Sequence, residues 1–551
     1  MGKTNLAFLG IILPVRKHIL PLIIVLAVSL LGVKALFHPG LFTAHDIWHQ
    51  VARLYHYQQA VSQGAFPPYW IATLAGGFGY PLFVFSYHLP WLLALPILKA
   101  GFDIPTTIKV LFFLSYALSG CGMYALSLKL FKSVWAGVLS AFLYLWAPYR
   151  FLTIFVSAQM GVAFVYTFIP ILFLGIFMAA EEKRKKLAIA TIAAGVSGIV
   201  LSHFSSVIGV VPATAIFALA ILFETKDKKL FLINSLKGVL LGVGLSSFYL
   251  IPAFYYSRLG VLGFGSYYQR HFVNLSQLVY SKWGYGPITN NAKDGELSFQ
   301  VGITQWASLV LSSFLIMVSK IKRPQKYIPA SLILGFLISI FMMLDWSLPV
   351  WKLIVKVIEV DFPFRFMLPA VFTSSLLAGF LISNVKRFIK PVLLVLLILV
   401  ALFTNRNHIR VNLYTNVSVK DYVDAEFTTS SMNEYLPPWV NPAIFKTETN
   451  SPVEPETIPV ANLEKTSQKI SFEAEAPKDM DIALNHFRYP GISLFIDGQK
   501  KEYSNDNYGR ITTTLTEGNH KIAVQFEDTP AIRAGKNISL VSLVIFLLLL
   551  L

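Results

Sequence analysis

Residues 82–99 read LFVFSYHLPWLLALPILK, and whether this stretch crosses a bilayer decides the topology of the chain. A crossing helix needs about 20 mostly apolar residues, within a range of about 17–25. Similar stretches run at 19–37, 106–128, 134–150, 161–180, 187–204, 207–223, 236–254, 300–319, 328–344, 366–384 and 390–404, and a last run extends from Ile538 to Leu551. Short cytoplasmic loops collect Lys and Arg. The clusters are Arg16-Lys17, Lys129/Lys132, Lys183-Arg184-Lys185-Lys186, Lys226/Lys228/Lys229, Lys320/Lys322/Arg323/Lys326 and Lys386/Arg387/Lys390. From Lys183 onward, one two-helix hairpin separates each cluster from the next. Between Lys17 and Lys183 the alternation fails if every candidate crosses, and it is restored if 82–99 does not. Pro81, Pro90 and Pro96 flank or interrupt that stretch, and proline breaks helices. It is therefore expected to be a juxtamembrane or re-entrant element. The loops 38–105, 149–162, 255–299, 345–365 and 405–536 then all face the outside.

Composition agrees. Of 551 residues, 55% are hydrophobic and 14% charged, against about 25% charged in soluble proteins; the mean hydropathy is +0.60. The net charge of +17 is largely the topology signal, so it does not point to nucleic acid. The single cysteine, Cys121, lies in an apolar run, which excludes a disulfide framework and a cysteine metal site. Arg16, Lys17 and His18 precede the first run without a small-residue cleavage site, the pattern of an uncleaved anchor. The expectation is a polytopic α-helical protein of the cell (plasma) membrane. It would have about 12 transmembrane helices and a cytoplasmic N-terminus.

Residues 405–536 change character, with Pro437-Pro438, Pro442, Pro452, Pro455 and Pro459 and two hairpin signals. Ile492–Ile496 leads into Asp497-Gly498, a type I′ pair. Arg510–Leu515 and Lys521–Phe526 flank Glu517-Gly518-Asn519, the second signal. We expect a transmembrane domain over 1–404, a small extracytoplasmic β-sandwich-like domain over 405–536, and a final crossing helix over 537–551 that is short enough to suggest truncation.

The first outer loop carries the chemistry. His45, His49 and Arg53 share one face if the segment is helical, with Asp46 beside them. A carboxylate at the membrane boundary beside imidazoles suits proton removal from a hydroxyl. Gly76-Gly77-Phe78-Gly79-Tyr80-Pro81, with Phe83, Phe85 and Tyr87, suits a groove for a sugar or isoprenoid. An amphipathic interfacial helix with aromatic belt residues explains the same pattern. A divalent metal on His45 and His49 stays open but lacks a third ligand within reach.

The run Asp46…His49…Arg53…Gly64…Pro67…Gly77-x-Gly79-Tyr80-Pro81…Phe85…Pro90 resembles the opening of bacterial membrane proteins labelled 6-pyruvoyl-tetrahydropterin synthase-related, and is similar to the YfhO-type proteins. Both resemble GT-C glycosyltransferases, which use polyprenyl-phosphate sugars. The resemblance continues through Trp146-Ala-Pro148-Tyr149-Arg150, Asp361-Phe-Pro363-Phe-Arg365-Phe366, Tyr489-Pro490-Gly491 and Asp497-Gly498. It implies Asp46 as catalytic base or acceptor-binding carboxylate. It also implies a second carboxylate in the next outer loop, where this chain has Val162.

Arg150 and Arg365 stand at outer helix ends, where Arg suits bidentate phosphate recognition or anchors to headgroups. Tyr267, Tyr268, Arg270, His271, Trp283 and Tyr285 form a candidate sugar-stacking lid, and His203 reads as a packed polar anchor. The expected activity is transfer, with inversion, of a sugar from a polyprenyl-phosphate donor to an envelope glycan, lipid or protein. Asp46 and His49 would be catalytic. Arg53, Tyr80, Arg150, Arg365, Tyr268, Arg270 and His271 would bind substrate. The rival readings are a non-catalytic envelope-assembly protein, motivated by Val162, and a lipid or polysaccharide transporter, against which the nearly charge-free spans argue.

Overall fold

A computed structural model describes residues 5–8, 11–259, 266–287, 291–318, 323–358, 361–430, 433–446 and 451–551; Lys320 and Lys322 of the predicted cytoplasmic cluster lie outside them. Among the described residues, seven helices are long and apolar enough to cross a membrane: Ile104–Phe131, Met160–Ala179, Glu182–Ser202, Phe204–Glu224, Lys326–Met343, Pro363–Asn384 and Pro530–Leu550. Two bent pairs add a crossing each if counted as single spans, Val134–Leu145 with Pro148–Val156 (52°) and Lys228–Leu245 with Ser247–Ser257 (72°). Lys17–Gly32, Leu89–Lys99, Ile303–Val318 and Ile389–Asn405 are shorter apolar helices. The chain is a multi-pass membrane protein.

The bends have local causes. Ala147 is extended ahead of Pro148 at the start of the next helix, the conformation expected before proline. At the second bend, Ser539 Oγ of the last helix donates to Gly244 O (3.0 Å) and accepts from Phe248 N (2.8 Å). It thereby partners backbone groups that the break releases.

Contacts sort the loops by end. At one end Lys129 pairs with Glu181 at 2.6 Å, and Asn234 Nδ2 donates to Ala179 O. At the other end Asp46 N donates to Ser157 O, Val273 N to Met343 O, and Asn405 Nδ2 to Trp146 O. Lys109, near the start of Ile104–Phe131, reaches His38 O at 2.9 Å. The chain therefore enters and leaves the 38–104 segment at this same end. Leu89–Lys99 has 11 residues, about 16 Å of helix, too short for a core of about 30 Å.

Two antiparallel sheets follow. Their strand orders are Gln499–Lys501, Ile492–Ile496, Gly518–Phe526, Lys469–Ala476, Val460–Lys465, and Ser504–Asn505, Arg510–Leu515, Met480–Phe487, Val453–Glu454. Phe472, Leu494 and Ile522 of one and Ile482, Leu484 and Ile511 of the other are buried in the hydrophobic core. Asp497 (φ 51°) and Gly498 (φ 77°) make the two-residue turn that pairs Ile496 with Gln499.

The second expected hairpin does not form. Arg510–Leu515 pairs with Met480–Phe487, whereas Gly518–Phe526 pairs with Lys469–Ala476 and Ile492–Ile496. Alternating strands that look like a hairpin satisfy the same pattern by facing each other across a sandwich. The last helix also starts earlier than the apolar run implies. Thr529 caps it by accepting from Ile532 N, and Lys536 in its first turns pairs with Asp528 at 2.6 Å.

Part of the Gly-aromatic stretch seats these sheets, while Gly76 at its start lines a cleft. Trp70 lies against His486, Tyr489 and Phe526 at centroid distances of 5.4, 5.1 and 6.3 Å. Phe78 stacks on Phe487 at 5.0 Å, and Phe78 O accepts from Phe487 N. Gly79, at φ +90°, passes so close to the Trp70 indole that a Cβ would collide with it.

Candidate active site

The helix Ile47–Ser62 begins one residue after Asp46. His45 therefore precedes the helix and leaves the face shared by His49 and Arg53, which corrects the expected three-residue alignment. His45 Nε2 instead donates to Gly286 O at 3.0 Å, while His49 Nδ1 lies 2.7 Å from Glu426 Oε2. The two imidazoles are thus committed to different partners. Among the described residues no group of three or more His, Cys, Asp or Glu side chains could hold a metal ion.

Asp46 is half-buried, and its carboxylate makes no capping bond to its own helix. Among the described residues it accepts no other hydrogen bond. Burial raises it above the ordinary 3.8, against the pull of His49, Arg53, His45 and Arg365. A carboxylate so placed holds a proton more strongly than an exposed aspartate and is a better base at neutral pH.

Arg53 donates through Nε to Thr429 O at 3.0 Å and lies over the Tyr87 ring at 5.9 Å. Tyr87 in turn donates to Gln50 Oε1 at 2.8 Å. Burial works against the Arg53 charge, and Tyr87, Tyr435, Glu434 and Asp46 outweigh it. Tyr80 O–H lies 3.1 Å from Ser430 Oγ and accepts from Tyr435 N at 3.0 Å. Residues 425–430 thus lie across the helix as a strap, fastened to it through Glu426 and Thr429, while Ser430 and Tyr435 meet Tyr80.

Arg365 closes the opposite wall. Asp361 takes its Nε and Nη2 in a two-pronged pair, and Nη1 donates to His203 Nε2 at 3.4 Å. Burial opposes the Asp361 charge, but Arg365 more than offsets it and holds that carboxyl below 3.8. Burial, then Arg365, lower His203 to about 3. A neutral ring that accepts at Nε2 carries its proton on Nδ1, which sits 2.9 Å from Ser206 Oγ. Tyr149 stands within electrostatic reach of Arg365 and Asp361, as Asp46 is of Arg365.

Arg150 is not part of this wall. It is 0% exposed, donates to Ala163 O at 3.1 Å and lies over the rings of Tyr116 and Tyr166 at 5.1 and 4.3 Å. Its neighbour Tyr149 faces Arg365, and the helical turn aims Arg150 into the bundle. Tyr268 is likewise withdrawn, stacked on Trp351 at 6.0 Å. Arg270 is exposed, with its backbone O accepting from Ala292 N. The 267–271 loop meets the site through Tyr267 and His271, which pack on Phe362 at 5.6 and 4.9 Å.

Asp361, Glu426 and His203 are the members that sequence reasoning missed as site residues. Asp361 could have been found from its i, i+4 spacing to Arg365; nothing local marks Glu426. Val162, where the resemblance implies a carboxylate, is 2% exposed.

No family model and no curated protein sequence matches the chain. Among solved structures, the arabinofuranosyltransferase AftD from mycobacteria aligns at 10% identity and TM-score 0.46, over 72% of this chain and 27% of that one. The archaeal oligosaccharyltransferase AglB from Archaeoglobus fulgidus, in complex with an inhibitory peptide and a dolichol-phosphate, aligns at 10% identity and TM-score 0.45, over 74% and 56%. The apo form of the Archaeoglobus fulgidus oligosaccharyltransferase aligns at 12% identity and TM-score 0.40. The chain thus spans about a quarter and just over half of the first two proteins it matches.

Proposed function

We propose that the chain is a GT-C-like glycosyltransferase of the plasma membrane with about 12 crossings. It would work on the outer face with a polyprenyl-phosphate-linked sugar as donor and an envelope glycan or protein as acceptor. One observation carries the reading: Asp46, a half-buried carboxylate without a hydrogen-bonded partner among the described residues, faces Arg53 and Arg365 where loops distant in sequence converge. The opening-loop motif around Asp46 supports the same reading.

In this mechanism Asp46 takes the proton of the acceptor hydroxyl as its oxygen attacks the anomeric carbon. The bond from that carbon to the phosphate oxygen breaks, and its electron pair leaves with the phosphate. Charge gathers on that oxygen, where preorganised donors lower the barrier. Guanidinium carries five N–H donors; Asp361 takes two from Arg365 and His203 faces a third. The remainder is available to a phosphate. His49, held by Glu426, orients the acceptor. Direct displacement with a single base inverts the anomeric centre.

The test is sugar transfer by the purified full chain from a polyprenyl-phosphate donor, compared with Asp46→Asn. A second reading, a non-catalytic assembly protein, is favoured by apolar Val162 where the resemblance implies a carboxylate. Failure of the wild-type chain to transfer from any such donor would favour it.

A further inference from the structure

Beyond the Asp46 site, a cavity of about 680 Å³ opens between the helix Ile47–Ser62, the turn at 73–76, the strap at 423–427 and the strand end at 465–467. His56, Gln59, Tyr55, Asp424, Glu426 and Lys465 line it. His49, His56 and Gln63 repeat every seven residues, so they run along one stripe of the helix, about 10 Å per step. At one end of the stripe Glu426 meets His49; at the other, Gln63 Oε1 accepts from Ser467 N at 2.7 Å. Glu426 is thus a wall of this cavity and a contact of the active-site helix at once.

His56 lines this cleft while only 6% exposed. Its Nε2 is sealed within the packing and has no hydrogen-bond partner among the described residues, so the ring contributes to the cleft wall through its remaining edge. Burial lowers its pKa to about 4, so the ring is neutral. Around it stand two carboxylates, two amides and an ammonium, with the Tyr55 ring among them. A lipid tail finds too little apolar wall there. A chain of hydroxyls, each donating and accepting, finds complementary groups on every side.

We infer that this cleft binds a carbohydrate chain, the acceptor glycan, and delivers its end past Glu426 and His49 to Asp46. The inference deepens the transferase reading and rests on it for the role as acceptor; binding itself does not depend on transfer.

The experiment presents an array of plain and acidic bacterial-type oligosaccharides to the detergent-solubilised full chain. The variants are His56→Phe, Gln59→Ala and Asp46→Asn. Phe keeps the ring packing of His56 on Tyr55, 5.4 Å between centroids, and removes both nitrogens. We expect the wild type to retain at least one oligosaccharide, and His56→Phe and Gln59→Ala each to weaken it tenfold or more. The melting temperature of His56→Phe should be unchanged or raised, because its orphaned nitrogen is gone. Asp46→Asn should bind as wild type. No retained oligosaccharide, or binding indifferent to both cleft variants, overturns the inference. Full transfer by Asp46→Asn with intact cleft binding overturns the transferase mechanism alone.

Discussion

His49 Nδ1 and Glu426 Oε2 meet at 2.7 Å across 377 positions of sequence. The pair is mostly shielded, with side-chain exposures of 17% and 10%, so solvent screens it less than a surface ion pair. One helical turn further on, Arg53 holds Thr429 O of the same strap. Strap and helix are therefore fastened at two successive turns, and the helix start that carries Asp46 is positioned by a segment that follows the helix Ile389–Asn405.

Asp46→Asn keeps shape and removes the base. General-base catalysis is worth about 10²–10⁴-fold, so transfer should fall by about that factor while donor binding stays near wild type. His49→Ala should cost less, since it removes an orienting group. In the wild type, burial places the Asp46 pKa above 3.8, so the rate should fall with acid at higher pH than an ordinary aspartate would dictate. A rate–pH profile of single-turnover transfer reads both effects, and wild-type-like transfer by Asp46→Asn would sink the mechanism.

Arg365→Ala should weaken lipid-phosphate binding more than Arg365→Lys, because Lys keeps the charge but loses the planar fork. The alanine variant also leaves Asp361 buried without its partner, a loss of about 3–5 kcal/mol in comparable pairs. Binding titrations and thermal unfolding should therefore rank wild type, Lys, Ala in that order. Equal phosphate affinity in all three would make Arg365 a purely structural residue.

Acid should destabilise the fold through Asp361. Its folded-state pKa lies below 3.8 because Arg365 outweighs the burial that opposes its charge. The unfolded chain thus takes up this proton first. The stabilisation is fully present above roughly pH 5 and is lost as pH falls through the folded-state value. Melting temperatures between pH 7 and 3 should decline less in Arg365→Gln than in wild type; parallel declines would contradict this.

Reporters fused or inserted at Arg184 and at Gly101 should read opposite sides, cytoplasmic for the first. The His38–Lys109 contact requires the segment between them to return to the end it left. A cytoplasmic reading at Gly101 would show that 82–99 crosses.

Trp70→Ala should loosen the sheets from the membrane domain without unfolding either. Trp70 is 0% exposed between the first loop and Tyr489, and truncating a buried Trp costs about 3–5 kcal/mol. Limited proteolysis should release the β-rich region from Trp70→Ala at protease levels the wild type resists. An unchanged digestion pattern would mean the seat lies elsewhere.

Much of the scaffold was legible in the chain order. Apolar runs mark the helices because burying or embedding twenty apolar residues is a local property, and Asp497-Gly498 marks its turn because both positions need φ above zero. The Arg510–Leu515 and Gly518–Phe526 strands were legible as strands and not as partners, since pairing depends on which sheet each joins. The seating role of the Gly-aromatic stretch was hidden for the same reason. Its spacing shows rings and tight turns, and only the packed structure shows Trp70 against Tyr489.

By itself the sequence determined that this is a membrane protein of many helices, and it marked Asp46 in the stretch after the first of them. Only the tertiary structure decided what acts on Asp46: Arg365, hundreds of residues away, beside His45, His49 and Arg53, with Asp361 and His203 holding Arg365, Glu426 holding His49, and Arg150 turned inward to Tyr166. The reason is physical. Hydropathy and turn chemistry act between neighbours in sequence, whereas the charge on a buried carboxylate is set by whatever groups the folded chain brings within a few ångströms of it.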